Sequence, residues 1–227
     1  MKDTIVIQQP AGIGDIFYTL KIAKKILDEQ RAKRVIWPVH DAFAYIGDYI
    51  EYPGLQFVSS TNFNWNVERL NLQDADKIHR DCSLMTAKYK LVGLSDDDWL
   101  DYFNFERNYD REQLLFDKLN LTKDSEYIVV SEMYGSPPNS KKHTIPVETN
   151  KRVINIRYLP SVNVFDWCGV LENAEKIYMV DTSFMYIMEK LDLKSKRNDL
   201  YSRYKPSNFD VVKHIPQNVK WNFIDWN

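Results

Sequence analysis

The chain has 227 residues, enough for one large domain or two of about 100 residues each, and its 30 basic and 32 acidic side chains give a net charge of −2. This balance argues against the basic surface of a nucleic-acid or membrane-surface binder, and 44% hydrophobic residues exclude a disordered chain. The cysteines, Cys82 and Cys168, match no zinc, redox or disulfide spacing, which indicates free thiols in a reducing compartment.

The first sixty residues contain an alternation of strands and helices. Short β-branched or apolar runs predict the strands, and apolar residues at helical spacing predict the helices. The predicted strands cover 4–8, 34–39 and 55–58, and the predicted helices cover 16–27 and 42–50. Such an alternation is typical of a parallel sheet covered by helices.

Aromatic residues are concentrated between residues 62 and 108, where the periodicity is weaker. Helices are predicted over 83–92, 96–105 and 110–119. Trp65 and Trp99 in this stretch have two interpretations: they belong to a hydrophobic core, or they offer flat surfaces on which sugars stack.

A second alternation follows the polar segment 120–126. Strands are predicted over 127–131, 152–156, 176–180 and 219–224, helices over 164–173 and 184–191, and a loop over 135–150. We therefore predict an α/β fold of two Rossmann-like lobes facing across a cleft, with residues 1–122 in the first lobe and 123–227 in the second.

The chain has only seven glycines in 227 residues, about 3% where about 7% is usual. Two of them, Gly12 and Gly14, stand close together. They lie in the turn between the first predicted strand and helix, where ligands collect in open α/β sheets. Asp15 follows them, and it either acts on a ligand there or is only the N-cap of the helix. The turn lacks the third glycine of the dinucleotide-binding fingerprint.

The matching turn of the second lobe contains Asp181, Thr182 and Ser183, directly after the predicted strand 176–180. Small hydroxyl side chains beside the free N–H groups of a helix start suit a diphosphate. All three residue types are also good N-caps, so capping alone is the alternative interpretation.

Three basic residues of the second lobe are candidates to neutralise a diphosphate, which needs cationic partners or a metal. Lys141 and Lys142 lie in the predicted loop, and Arg157 follows the predicted strand 152–156. The alternative for the lysines is a solvated surface.

Several other sites are excluded by their patterns. The four histidines lack zinc-site spacing, and the chain has neither a nucleophile elbow nor a phosphate-binding P-loop. The acidic run at 96–98 resembles a metal-binding DxD motif but precedes a predicted helix, where acids favour the N-terminus, so no metal site is predicted. Without an apolar run long enough for a signal peptide or a membrane span, we expect a soluble cytoplasmic protein.

Two segments resemble the heptosyltransferase-type glycosyltransferases, a family-9-like group. The run IVIQQPAGIGDIFYTLKIAKKI is similar to their first strand, GxGD turn and helix, and FDWCGVLENAEKIYMVDTSFMYIMEKL is similar to a helix and strand of their C-terminal lobe. The resemblance implies a GT-B fold, a nucleotide-sugar donor held mainly by the second lobe, and no obligatory metal or other cofactor. The chain is a shortened form, and it lacks the glycine and histidine that follow Asp-Thr in the family.

The resemblance also implies residue roles. Asp15 matches the family's general base, and Thr182 and Ser183 match the donor-phosphate turn. The remaining candidates are Asp181, Arg157, Lys141 and Lys142 on the donor side and Gly12, Gly14, Trp65 and Trp99 on the acceptor side. We expect an inverting, metal-independent transferase that moves a sugar from a nucleotide-diphosphate donor to a hydroxyl acceptor. A non-catalytic nucleotide- or sugar-binding protein and a structural protein with a degenerate transferase fold are the alternatives.

Overall fold

The computed structural model describes residues 2–9, 12–79, 82–135 and 139–226. The chain divides into two compact units, residues 1–106 and 107–227. The division falls earlier than the predicted boundary after residue 122, because the helix Tyr109–Lys118 packs within the second unit. Its Phe116 lies so close to Gly169 that a Cβ there would be 3.0 Å from the ring.

The first unit contains a four-stranded parallel sheet in the order β3-β2-β1-β4. Its strands are β1 (Lys2–Gln8), β2 (Ala32–Val39), β3 (Leu55–Ser59) and β4 (Arg69–Asn71), and its α-helices are α1 (Ile13–Asp28), α2 (Leu84–Lys90) and α3 (Trp99–Tyr102). Two 3-10 helices cover Asp41–Asp48 and Leu72–Lys77. The strand β4 was not predicted, because three residues are too few to show a period.

The core of the first unit forms where α1 covers the sheet. Ile16, Leu20 and Ala23 of α1 are buried at helical spacing, and Trp37 of β2 is buried in the sheet. The predicted helix 42–50 is the first 3-10 helix, and the predicted helix 96–105 is reduced to α3.

The second unit contains a five-stranded parallel sheet in the order β11-β10-β9-β5-β8, and an antiparallel hairpin of β6 and β7. The strands are β5 (Tyr127–Ser131), β6 (Met133–Tyr134), β7 (Lys141–Lys142), β8 (Arg152–Asn155), β9 (Lys176–Val180), β10 (Asn198–Tyr201) and β11 (Trp221–Ile224), and the helices are α4 (Tyr109–Lys118), α5 (Cys168–Asn173) and α6 (Phe184–Met188). Residues 136–138 of the predicted loop lie outside the described residues.

The buried strand β10 was missed because Asn198 and Asp199 are poor strand formers. Its burial between β9 and β11 is compensated: Asp199 forms an ion pair with Lys176 at 2.7 Å and accepts a hydrogen bond from Asn222 at 2.9 Å. The predicted α/β class with parallel sheets is confirmed. No helix in the described ranges is both long and apolar enough to cross a membrane.

The two free cysteines are predicted to differ in reactivity. Cys168 is fully buried in the second unit, and burial raises the pKa of its thiol, which disfavours the reactive thiolate. Cys82 is partly exposed. Ellman's reagent should therefore modify Cys82 in the native protein and Cys168 only in denaturant, with Cys82→Ser leaving almost no native reactivity. Rapid modification of Cys168 in native Cys82→Ser would contradict this packing.

Candidate functional site

The first unit has a topological switch point at β1. The chain runs from β1 through β2 to β3 on one side and then returns to place β4 on the other side of β1. Ligands of open α/β sheets bind outside the carboxyl ends of the strands at such a point. The turn that carries Gly12 and Gly14 follows β1 and opens α1, so the structure places it at this switch point. Pro10 and Ala11 of the turn lie outside the described residues.

Asp15 is the third residue of α1, and the N-cap is Gly12. The alternative that Asp15 serves as the N-cap is therefore wrong. Its carboxylate forms an ion pair through Oδ1 with Lys88 of α2, and about a third of the Asp15 side chain is exposed. Since only 2% of the Lys88 side chain is exposed, a buried ammonium group holds a carboxylate that remains open to water.

The position of Gly12 excludes a larger residue because of the neighbouring Asp15 side chain, and not because of the Gly12 backbone conformation. Its φ of −174° and ψ of 108° describe an extended conformation that any residue adopts. A Cβ at this position, however, would lie 2.3 Å from Oδ2 of Asp15, well inside van der Waals contact. The glycine thus leaves the space into which the carboxylate folds. Gly14, the second residue of α1, is half-buried beside it.

Lys88 was not predicted as a site residue, because its pairing with Asp15 spans 73 positions of sequence. Apart from Asp15, its ammonium group contacts the sulfur of Met85 at 3.6 Å. The helix α2 that carries Lys88 is anchored on α1 by Tyr89, whose hydroxyl donates to the carbonyl oxygen of Tyr18. The position of this lysine is therefore set by the packing of α2 on α1.

The acidic run at 96–98 contributes to the same anchoring. Asp96 accepts hydrogen bonds from the hydroxyls of Tyr18, at 2.6 Å, and Thr86, at 2.7 Å. Asp98 forms an ion pair with the buried Lys21. The segment forms only the short helix α3 in place of the predicted helix 96–105. Among the residues that the structure describes, no three His, Cys, Asp or Glu side chains are grouped to hold a metal ion.

The two tryptophans predicted on the acceptor side differ. Trp99 is 1% exposed and packs against the rings of Tyr18 and Phe103, with centroids 5.2 and 6.1 Å apart. It is a core residue, and the predicted acceptor role is wrong for it because its faces are covered. Trp65 is partly exposed and touches Phe63 edge to face at 4.9 Å, so it stays a prediction.

The second unit has its own switch point between β5 and β9. The chain passes from β5 to β8 on one side and then crosses to β9, β10 and β11 on the other. Because all five strands are parallel, the segments that follow them emerge at one edge. The structure thus brings the segments after β8, β9 and β10 to the edge at which Asp181, Thr182 and Arg157 were predicted to act.

Asp181 has a different environment from the predicted direct contact with a donor. Its side chain is 2% exposed, and its carboxylate accepts hydrogen bonds from the guanidinium and the backbone N–H of Arg203. Burial raises the pKa of the Asp181 carboxyl, and the charge of Arg203 opposes that rise. The carboxylate is therefore occupied by Arg203, which was not predicted as a site residue.

Thr182 and Ser183 precede α6, which has only five residues. So short a helix contributes little dipole, which removes much of the physical basis predicted for this turn. The hydroxyl oxygen of Thr182 is buried and has no hydrogen-bond partner within the described parts of the chain. A buried hydroxyl left without a partner costs about 1–3 kcal/mol, so this position favours a ligand that supplies one.

The predicted basic residues occupy different positions. Arg157 lies just beyond β8 at the carboxyl edge, exposed and without an ion pair among the described residues. Lys141 and Lys142 form β7 of the hairpin, where Lys142 is paired with Glu132 at 2.9 Å and Lys141 is exposed. Arg157 and Lys141 thus have free charge for an anion, whereas Lys142 is partly neutralised.

Comparison with solved structures shows what the fold is similar to. A glycosyl transferase of family 9 from Veillonella parvula aligns over 99% of this chain and 87% of its own, with a TM-score of 0.59 and 11% identity. The chain shares the family 9 glycosyltransferase fold. The E. coli heptosyltransferase WaaC, solved with ADP, aligns over 97% and 93% of the two chains, with a TM-score of 0.52 and 12% identity.

The E. coli ADP-heptose LPS heptosyltransferase II aligns over 99% of this chain and 90% of its own, with a TM-score of 0.50 and 9% identity. The resemblance to a shortened heptosyltransferase-like GT-B protein is thus confirmed at the level of the fold. No protein-family model matches the chain, and no curated protein matches it either.

Breaking the Asp15–Lys88 pair is predicted to have unequal effects from its two sides. Asp15→Asn leaves the buried ammonium uncompensated and should lower the free energy of unfolding by about 3–5 kcal/mol. Lys88→Met should cost less, because the remaining carboxylate reaches water. The double variant should be more stable, by about 0.5–3 kcal/mol, than the sum of the two single-variant effects predicts.

Urea unfolding of the four proteins gives this coupling energy. The exposed pair of Lys2 and Glu68 is the control, since Lys2→Met should change stability by less than about 1 kcal/mol. Strict additivity of Asp15→Asn and Lys88→Met would show that the ion pair is not formed.

Proposed function

We propose that the protein is a glycosyltransferase that moves a sugar from a nucleotide-diphosphate donor to a hydroxyl acceptor. The observation that carries this proposal is the position of Asp15: a partly exposed carboxylate, held by a buried lysine, at the switch point of a family 9 glycosyltransferase fold. The names of the structural relatives, which include ADP and ADP-heptose, favour a nucleoside-diphosphate sugar as the donor.

In the proposed reaction Asp15 acts as the general base. It takes the proton of the acceptor hydroxyl while that oxygen forms a bond to the anomeric carbon of the sugar. The bond between the anomeric carbon and the phosphate oxygen breaks, and the nucleoside diphosphate leaves with the electron pair. Attack from the side opposite the leaving group gives inversion. Lys88 fixes one carboxylate oxygen, so the base is oriented before the acceptor arrives.

The second unit is proposed to bind the donor. Thr182 offers an unpartnered hydroxyl and Ser183 lies next to it, while Arg157 and Lys141 are exposed cations without ion pairs in the described ranges. Two phosphate charges can be neutralised by such side chains, so a metal-independent mechanism is consistent with this chemistry. Lys142 is a weaker donor ligand because Glu132 already neutralises it.

The alternative is a non-catalytic protein that binds nucleotides or sugars with the same fold. The departure of the sequence from the family after Asp181 and Thr182 supports this alternative. The two functions differ in the role of Asp15, because a binding protein needs no base.

Asp15→Asn is predicted to lower turnover by about 10²–10⁴-fold, the usual contribution of a general base, without a comparable loss of nucleoside-diphosphate affinity. The measurement is release of nucleoside diphosphate from a panel of ADP-, UDP- and GDP-sugars. Asp98→Asn is the matched control, since Asp98 also pairs with a buried lysine of the first unit.

The double variant Asp15→Asn/Lys88→Met, which removes the uncompensated charge, separates lost catalysis from lost folding. It should be folded and equally inactive. A folded Asp15→Asn variant with wild-type turnover would show that another group is the base, whereas a wild-type protein that binds a nucleotide but turns over no sugar donor of the panel would favour the alternative function.

Gly12→Ala is predicted to reduce turnover with little loss of stability. The added methyl group pushes aside Oδ2 of Asp15, which is at the end of a flexible side chain, whereas Oδ1 can keep its ion pair with Lys88. Gly47→Ala in the same unit is the control, because its added Cβ meets its nearest neighbour, Phe57, at an ordinary 3.9 Å. Initial rates and melting temperatures of both variants measure the effects on turnover and stability. Equal activity of Gly12→Ala and wild type would contradict the position of the Asp15 carboxylate next to Gly12.

A further inference from the structure

Arg203 lies two residues beyond the end of β10, at the carboxyl edge of the second sheet. The neighbouring strand β9 ends just before Asp181, and the backbone N–H of Asp181 donates to the carbonyl oxygen of Tyr201 at 2.9 Å. The ladder between β9 and β10 therefore continues to this point and brings Arg203 beside the switch point of the second unit.

One edge of the Arg203 guanidinium is fixed and the other is free. Nε donates to the carboxylate of Asp181, and Nη2 donates to the carbonyl oxygen of Asp181 at 2.8 Å. Nη1 makes no hydrogen bond within the described part of the chain. The Arg203 side chain is 36% exposed whereas that of Asp181 is 2% exposed, so the carboxylate is covered and the cation reaches the surface.

The backbone around Arg203 is held as firmly as its side chain. Its carbonyl oxygen lies 2.9 Å from Nε2 of His143, and the carbonyl oxygen of Ser202 accepts a hydrogen bond from the indole of Trp226 at 2.5 Å. The ring of His143 stacks on Tyr134 at 4.7 Å. A guanidinium held in this way has already lost most of its conformational freedom, so binding an anion costs it little further entropy.

A second feature lies next to the same carboxylate. Thr182 follows Asp181 directly, and its buried hydroxyl has no hydrogen-bond partner among the residues that the structure describes. A hydroxyl and the free edge of a guanidinium are both donors, and phosphate oxygens accept from both. Two independent observations, an unbonded Nη1 and an unpartnered hydroxyl, thus converge on the two residues that adjoin Asp181.

We propose that Arg203 binds a phosphate group of the nucleoside-diphosphate donor beside Thr182, which already belongs to the proposed donor site, and that Asp181 is the positioning residue that orients Arg203. This inference rests on the proposed function and assigns its phosphate ligands. It gives Asp181, which was predicted as a donor-binding residue, an indirect role, because its carboxylate is buried and bonded to Arg203. It also places the main cation just beyond β10, a strand that sequence patterns did not reveal.

Calorimetric titration with ADP, UDP and GDP tests the proposal without any acceptor. For the nucleotide that binds wild type, Arg203→Met should weaken the affinity about tenfold or more, as expected for a lost charge-assisted hydrogen bond. Arg203→Lys should keep part of the affinity, since it retains the charge without the planar fork. Arg197→Met is the matched control: Arg197 is exposed just before the other end of β10 and should bind like wild type.

Thr182→Val keeps the test valid if Arg203→Met does not fold, because it leaves the Asp181–Arg203 pair intact. It should weaken nucleotide binding while leaving the melting temperature equal or higher, since it removes a buried hydroxyl without a partner. A merely structural threonine would show no change in affinity. Asp181→Asn should weaken binding as well, and Arg203→Met should then add little to it.

The outcomes separate this proposal from the proposed function. Wild-type affinity in folded Arg203→Met or in Thr182→Val overturns the assignment of phosphate ligands and leaves the transferase proposal standing. A wild-type protein that binds none of the three nucleotides overturns both.

Discussion

A buried ammonium group must have a counter-charge, and in the first unit that constraint links Lys88 to Asp15. The pair joins the start of α1 to a helix 73 positions further along the chain. Around it, Tyr18 and Lys21 of α1 bond to Asp96 and Asp98, so the segment 83–103 closes over the same helix. The orientation of Asp15, the proposed base, is therefore a consequence of how this segment packs. The absence of a Cβ at Gly12 leaves room for the carboxylate in that orientation.

The second unit uses the same arrangement with the exposures reversed. Asp181 is the buried partner there and Arg203 the exposed one, again contributed by separate elements at the carboxyl edge of a parallel sheet. In the first unit the acid reaches water and is suited to accept a proton. In the second unit the guanidinium of Arg203 reaches water and is suited to bind an anion. Which member of each ion pair is buried thus decides the chemistry that each edge offers.

The positions of both candidate sites were predictable because they depend on strong local patterns. Apolar strands such as 127–131 and the glycine turn before Asp15 predict where strands end, and parallel strands end at a common edge. The partners at these edges were not predictable, because Lys88 and Arg203 reach the acids through tertiary contacts that leave no periodic signal.

Short and polar elements account for the other differences between the predicted and observed fold. The strand β10 is buried although it begins with Asn198 and Asp199, and β4 has only three residues. Trp99 is of a residue type that stacks on sugars, but it is buried against other aromatic rings. Residue type alone does not reveal this burial. The boundary between the units was placed too late because the pattern of helix α4 does not show which unit it packs in.

Thermal unfolding in the presence of a panel of nucleotide sugars tests most directly whether this chain binds a nucleotide sugar. A ligand that binds only the native state stabilises it by about 2.7 kcal/mol at 100 times its Kd. We predict that at least one nucleoside-diphosphate sugar raises the melting temperature in a concentration-dependent manner, whereas the free sugar does not. An unchanged melting temperature across the whole panel would contradict it.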